Sequence, residues 1–301
     1  MRLNVYYDLK YAPVTNDFAG YLVLCNAVRQ SMRAESMGVT IVADQFRNSS
    51  PREKQTPRRE KEFRLGHILS KLPFLIPEVS SLDITTTPLT EIKLPAFPGG
   101  YPGRPDDQKQ IPYLNTYLHP FYGQEGINLR PFRATEQAKF FINNLFGDDV
   151  ITISLRTSHF KADRNSNLDE WYKVYQELKQ SKFRPVVIPD FDDCMREKLY
   201  TKYDWEVFTP GSFDFDLRLA LQEKAINNLA INSGVAYPLC HSDCPYILFK
   251  WVTDTVSSTS VEHHKHNFLM DYGDNFKWAA PNQHIIWEDD NADTILKALN
   301  L

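Results

Sequence analysis

Apolar and polar positions change period along this chain, and each change marks an element. Residues 3–9, LNVYYDL, form a short apolar and aromatic run that predicts a strand. A polar turn, KYAPVTND, follows. The spacing then lengthens: Phe18, Leu22, Cys25 and Val28 recur every three or four residues, which predicts a helix over 18–38 with one apolar face. Thr15, Asn16 and Asp17 are suited to cap its first turn, and Gly38 is suited to end it. GVTIVADQ (38–45) is again strand-like. Strand, helix and strand in this order predict a parallel pair. EKEFRLGHILSKL (60–72) predicts a helix stopped by Pro73. Between Pro95 and Pro120 six prolines and three glycines leave no period, so the stretch reads as a loop at the end of a first domain, near an interdomain cleft.

The second half restarts the alternation. Helices are expected at 134–147, 167–181, 215–228 and 291–299, with Asn167 as a cap for the second of these. Strands are expected at 149–156, 183–190, 229–233 and 245–252, and VAYPLC reads as a short helical turn. The twice-started βαβ order predicts an α/β protein of two Rossmann-like domains facing across a cleft, residues 1–130 and 131–301. A length of 301 residues suits two such domains.

Charge narrows the functional classes. Lys plus Arg number 34 and Asp plus Glu 38, a net charge of −4, without the basic surplus of a general nucleic-acid binder. No apolar run is long enough for a membrane span, and the N-terminus lacks a signal-peptide core, so a cytoplasmic location is expected. One local exception is residues 47–64, with seven Arg or Lys against three Glu. That run reads as a solvated loop or as a contact for a phosphate or an anionic membrane surface. Cys240 and Cys244 in CHSDC lack a second ligand pair, so free thiols are expected. The histidines of VEHHKHNF (261–268) do not share a face and read as a solvent-facing loop. In WEDDN the carboxylates read as charge at a helix start, not as a metal cage.

Ligands of open α/β sheets bind beyond the carboxyl ends of strands. That rule selects the loop before Asp17, the segment RTSHFKADRNSN after ITISL, and NSGV (232–235) after LAI. In the second, Arg156, His159, Lys161 and Arg164 supply donors, and Asn165 to Asn167 lead into a helix. In the third, Ser233 and Gly234 permit close approach of a ligand to the backbone. No P-loop and no G-x-G-x-x-G after the first strand is present, which argues against Walker-type ATPases and typical dinucleotide dehydrogenases.

ISLRTSHFKADRNSN, INNLAINSGVAYPLC and the opening YYDLKYAPVTNDFAGYLVLCNAVR resemble glycosyltransferases of the GT-B fold, of the kind encoded among bacterial surface-polysaccharide genes. The resemblance covers most of the chain outside 75–130. It implies a metal-independent transferase moving a sugar from a nucleotide-sugar to a cell-surface glycan acceptor, with no further cofactor. It implies donor-diphosphate contacts at Arg156, Ser233 and Gly234, and less directly at Arg164 and Asn165. The general base is expected in the first domain, where Asp17 is the best-placed carboxylate; His67 and His119 are the alternatives, and Asp17 also suits a purely capping role. A nucleotide-sugar epimerase of the same fold, or a non-catalytic binding protein that retains it, stays open.

Overall fold

The computed structural model describes residues 1–102, 111, 112, 114–196 and 198–301. Of the proline-rich stretch, residues 103–110 and 113 therefore lie outside the described residues. The chain forms two compact units, Met1–Arg133 and Ala134–Leu301.

In the first unit β1 (Arg2–Asp8) leads through α1 (Asp17–Ser31) to β2 (Ser36–Val42). The short α2 (Pro51–Gln55) and α3 (Arg58–Arg64) precede β3 (Val79–Thr85) and β4 (Ala96–Phe97). All pairings are parallel, in the order β3-β2-β1-β4. Phe18, Leu22 and Cys25 face the core as their spacing predicts, but every residue from 18 to 27 is buried. The 3-10 turns Leu72–Leu75 and Asn115–Phe121 pack against α1 as well as the sheet, so one apolar stripe understates its burial. Tyr7 and Tyr21 pack their rings 5.0 Å apart, and each hydroxyl finds a carbonyl, Pro13 O at 2.9 Å and Tyr6 O at 2.7 Å.

Two local expectations change. The helix ends at Ser31, with Arg33 in the left-handed region at φ 55°, and Gly38 is not its cap. Gly38 sits inside β2 opposite Asn4, where a Cβ would come within 2.9 Å of Arg2 Cζ. The helix expected over 60–72 is α-helical only to Arg64 and then widens at Leu65–Leu69, where Ser70 N–H reaches back five residues to Leu65 O (3.0 Å).

The second unit runs α4 (Glu136–Leu145), β5 (Val150–Ser154), α5 (Leu168–Gln180), β6 (Arg184–Ile188), α6 (Phe191–Met195), α7 (Pro210–Phe213) and α8 (Phe215–Lys224). It continues with β7 (Asn227–Ile231), α9 (Tyr237–Cys240), β8 (Tyr246–Phe249), α10 (Val261–Phe268), β9 (Gln283–Ile285) and α11 (Ala292–Ala298). Its parallel sheet has the order β6-β5-β7-β8-β9. Ile151, Ile153, Trp171, Val174, Leu178, Leu229, Phe249 and Ile295 form the heart of its core.

Here the helix expected over 215–228 stops at Lys224, because Asn227 and Asn228 belong to β7. The fully buried Asn228 accepts from Thr152 Oγ1 (2.6 Å) and donates to Gln222 O (2.9 Å) and Pro245 O (2.8 Å), which fits a polar side chain into a central strand. The histidine run is a helix, α10, and not a solvent-facing loop: His264 is buried and stacks on Trp251 at 5.0 Å. All four cysteines are free thiols.

Candidate functional site

The order β6-β5-β7 defines where a ligand crevice opens. β6 lies on one side of β5 and the remaining strands on the other, so the loops after β5 and β7 diverge at their carboxyl ends. Arg156, Asn165, Arg164, Ser233 and Gly234 all follow one of these two strands.

The loop after β5 is closed at its neck. Arg156 N–H donates to Ser166 Oγ (3.0 Å), and Ser166 N–H donates back to Arg156 O (2.9 Å). Inside the loop the buried Arg156 guanidinium donates to Lys161 O (3.2 Å), Phe160 O and Asn165 Oδ1. Asn165 also bonds Ser158 through both ends of its amide, each at 3.0 Å. Arg156 and Asn165 thus hold the loop in shape from within.

Arg164 makes the link to the neighbouring turn. Its Nη2 donates to Asn232 O at 2.9 Å, directly ahead of Ser233 and Gly234. Ser233 is extended (φ −150°) and its hydroxyl makes no capping bond to the turn Gly234–Ala236; Gly234 is exposed.

Residues outside the expected set complete the frame. Asn232 Nδ2 donates to Trp251 O (2.8 Å), which also accepts from His264 Nε2 (2.9 Å). Lys250, at the end of β8, donates to Asn165 O and Asp290 Oδ1, both at 3.1 Å. Asp290 is 2 % exposed, and its Oδ2 accepts from Asn167 N–H and Trp171 Nε1, both at 2.8 Å. Asn167 occupies the cap position of α5 without a side-chain cap bond, so Asp290 serves that helix start in its place. Lys161, one of the donors the sequence selects, reaches Ser258 Oγ through its Nζ at 2.6 Å. The same strand-end rule that selects Arg156 also selects Lys250 in YILFK, the last apolar run of the sheet. Asp290 carries no such signal, because its partners are 119 and more residues away in sequence except for Lys250.

Burial, and then the positive charges of Lys161, Arg164 and His266, hold the His263 pKa below its ordinary value. On the far side of the loop, burial raises the pKa of Asp190, against the hydrogen bonds it accepts from Asp192 N–H and Thr157 N–H and the charge of Arg156. The other carboxylates of DFDDC are engaged: Asp192 accepts from Ser158 Oγ (2.9 Å) and Asp193 from two backbone N–H groups. Among the described residues no group of three or more His, Cys, Asp or Glu is placed to hold a metal ion.

In the first unit the order β3-β2-β1-β4 puts the corresponding divergence at the ends of β1 and β4. Asp17 opens α1 just past the β1 loop, half-buried, and its Oδ2 accepts from Thr15 Oγ1 at 2.6 Å. Asn16, in the cap position, makes no side-chain cap bond. The end of β1 also carries Asp8, which accepts from Lys10 N–H (2.9 Å) and Tyr101 Oη (2.8 Å) and whose pKa is raised by burial. His67 is exposed and stacks on Phe63 at 4.1 Å; His119 lies beside Tyr122 in the turn Asn115–Phe121.

Two parallel α/β units of this kind, each with its divergent strand ends, give the chain the GT-B fold. It is similar to the ADP-heptose lipopolysaccharide heptosyltransferase II of E. coli, at TM-score 0.52 and 11% identity over 100% of this chain and 98% of that one. It is also similar to a glycosyltransferase family 9 protein of Veillonella parvula (TM-score 0.49, 10% identity, 99% and 89% covered). A third similar structure is the UDP-GlcNAc 2-epimerase of Methanocaldococcus jannaschii (TM-score 0.41, 12% identity, 100% and 92% covered). The sequence matches no protein-family model and no curated protein. At 11% identity the likeness to the heptosyltransferase II concerns the fold alone.

Proposed function

We propose that the protein is a glycosyltransferase that moves a sugar from a nucleotide-sugar to a glycan acceptor. The observation that carries this reading is the cation-bearing loop after β5 at the β5–β7 divergence, joined to the turn after β7 by the bond from Arg164 to Asn232. A departing diphosphate needs positive charge and N–H groups where its own charge develops. Arg164 and Lys161 supply the first; the turn at Ser233 and Gly234, open to solvent at the glycine, supplies the second. Arg156 and Asn165 act by fixing the loop that carries both cations. With protein cations meeting the diphosphate, the transfer is read as independent of a divalent metal. Asp17 is the proposed base that takes the proton of the acceptor hydroxyl, a role worth on the order of 10²–10⁴ in rate.

The heptosyltransferase likeness suggests a surface-polysaccharide acceptor and a nucleotide diphosphate-sugar donor. The test is a thermal-shift screen of ADP, UDP, GDP, CMP and their sugars, followed by turnover of any ligand that stabilises the chain. Acceptor-dependent consumption of the donor in EDTA supports the reading. Isomerisation of the donor without an acceptor would assign the fold to epimerase chemistry, and binding without turnover to a non-catalytic role.

A further inference from the structure

The basic run at 47–64 folds around a pocket of the first unit that the donor site does not use. Val14, Thr15, Arg47, Glu53, Thr56, Lys61 and Arg64 line it, around some 350 Å³ of space open to solvent.

Its charges are unevenly matched. Arg64 is paired with Glu60 at 2.9 Å, and Arg47 with Glu53 at 3.3 Å. Glu53 is already engaged by Arg47, Ser49 and Ser50. Burial opposes its charge, but the Ser50 N–H, Arg47 and the Ser49 and Ser50 side chains hold its pKa below the usual carboxylate range. Lys61 is 8 % exposed, and among the described residues its ammonium makes one hydrogen bond, to Arg47 O at 3.1 Å, and no ion pair. A buried ammonium with a single neutral acceptor is costly unless an anion completes its shell. The hydroxyl of Thr56, which also lines the pocket, is of a kind suited to an oxyanion.

We infer that this pocket binds one oxyanionic group, a phosphate monoester or carboxylate, carried by the acceptor. The link to the chemistry is Thr15, which lines the pocket and donates to Asp17 Oδ2 at 2.6 Å. An acceptor held by its anion here brings a neighbouring hydroxyl to Asp17. This step rests on the reading of Asp17 as the base; the binding of the anion does not.

The test measures binding apart from turnover. The melting temperature of the intact protein is followed against inorganic phosphate and glucose 6-phosphate at constant ionic strength, in wild type and Lys61→Met. A saturable rise is expected in wild type, weakened on the order of tenfold or more in Lys61→Met, the scale of a charged hydrogen bond. The rise with a bound nucleotide stays unchanged in both. An equal phosphate response in the variant, or none in wild type, overturns the proposal and leaves the donor site untouched. If Lys61→Met does not fold, tungstate soaked into wild-type crystals decides: anomalous density within hydrogen-bond distance of Lys61 supports the site, and density only elsewhere overturns it. Sedimentation with phosphatidic acid vesicles separates the sources of the anion. Capture abolished by Lys61→Met assigns it to a lipid headgroup; sugar-phosphate saturation without capture assigns it to a soluble glycan.

Discussion

Asp17 and His264 are single residues whose surroundings dictate a measurable response. Thr15 holds Asp17 from one side at 2.6 Å, and its neighbour Asn16 leaves the helix cap without a side-chain bond. Asp17→Asn preserves size and can still accept from Thr15, but an amide is a very poor base. Turnover is expected to fall ~100-fold or more with nucleotide affinity unchanged; near-normal turnover in steady-state assays returns Asp17 to a helix-start role. His264 reports on the frame of the donor site. Its Nε2–H donates to Trp251 O, and its Nδ1 is buried without a partner among the described residues. Burial, only partly offset by the Trp251 carbonyl, pushes its pKa down to about 4. The unfolded chain therefore takes up this proton first. Stability from this group is fully present above about pH 6.5 and is lost as pH falls from there toward 4, by up to roughly 3 kcal/mol. His264→Phe is expected to flatten that part of the denaturation profile relative to wild type, and an identical acid slope in both proteins would contradict the assignment.

Loops and helix starts carry the site at the next scale, and here Asp290 is the keystone of several elements. It joins the start of α5, the ring nitrogen of Trp171 and the end of β8 through Lys250. Asp290→Ala leaves the half-buried Lys250 without its carboxylate and strips the acceptor from Asn167 N–H and Trp171 Nε1, so a loss of about 3 kcal/mol in urea unfolding is expected; a loss under 1 kcal/mol would mean that the network is not coupled. Elements of this kind show what a sequence can and cannot carry. Central strands such as ITISL and YILF are legible because both faces are buried and the apolar run is unbroken. The edge strands β3 and β9 are not, since VSSLDIT is mostly half-exposed and QHI is three residues long. Gly38 looks like a helix stop because glycine serves both turns and close backbone approach, and only the Arg2 contact tells which. The loops that bear Arg156 and Gly234 follow from the strand-end rule alone. That Arg164 reaches the β7 turn depends on how an eleven-residue loop folds back on itself, which no local pattern encodes.

Over the whole molecule, two parallel sheets with divergent strand ends explain why chemistry-bearing residues collect where they do. Each unit places its candidate residues after the strand at which the sheet order reverses: Asp17 after β1, Arg156 and Arg164 after β5, Ser233 and Gly234 after β7. No helix among the described residues is long and apolar enough to cross a membrane. A fold does not fix an activity, so activity must be settled at the site. Calorimetric titration of nucleoside diphosphates and their sugars into the intact protein in EDTA, for wild type and Arg164→Ala, addresses the donor site itself. The account predicts saturable binding of at least one nucleoside diphosphate to wild type without added metal, weakened by ~1.5–3 kcal/mol in a folded Arg164→Ala protein, the range of a charged hydrogen bond. Absence of nucleotide binding, or equal affinity in the two proteins, would contradict it.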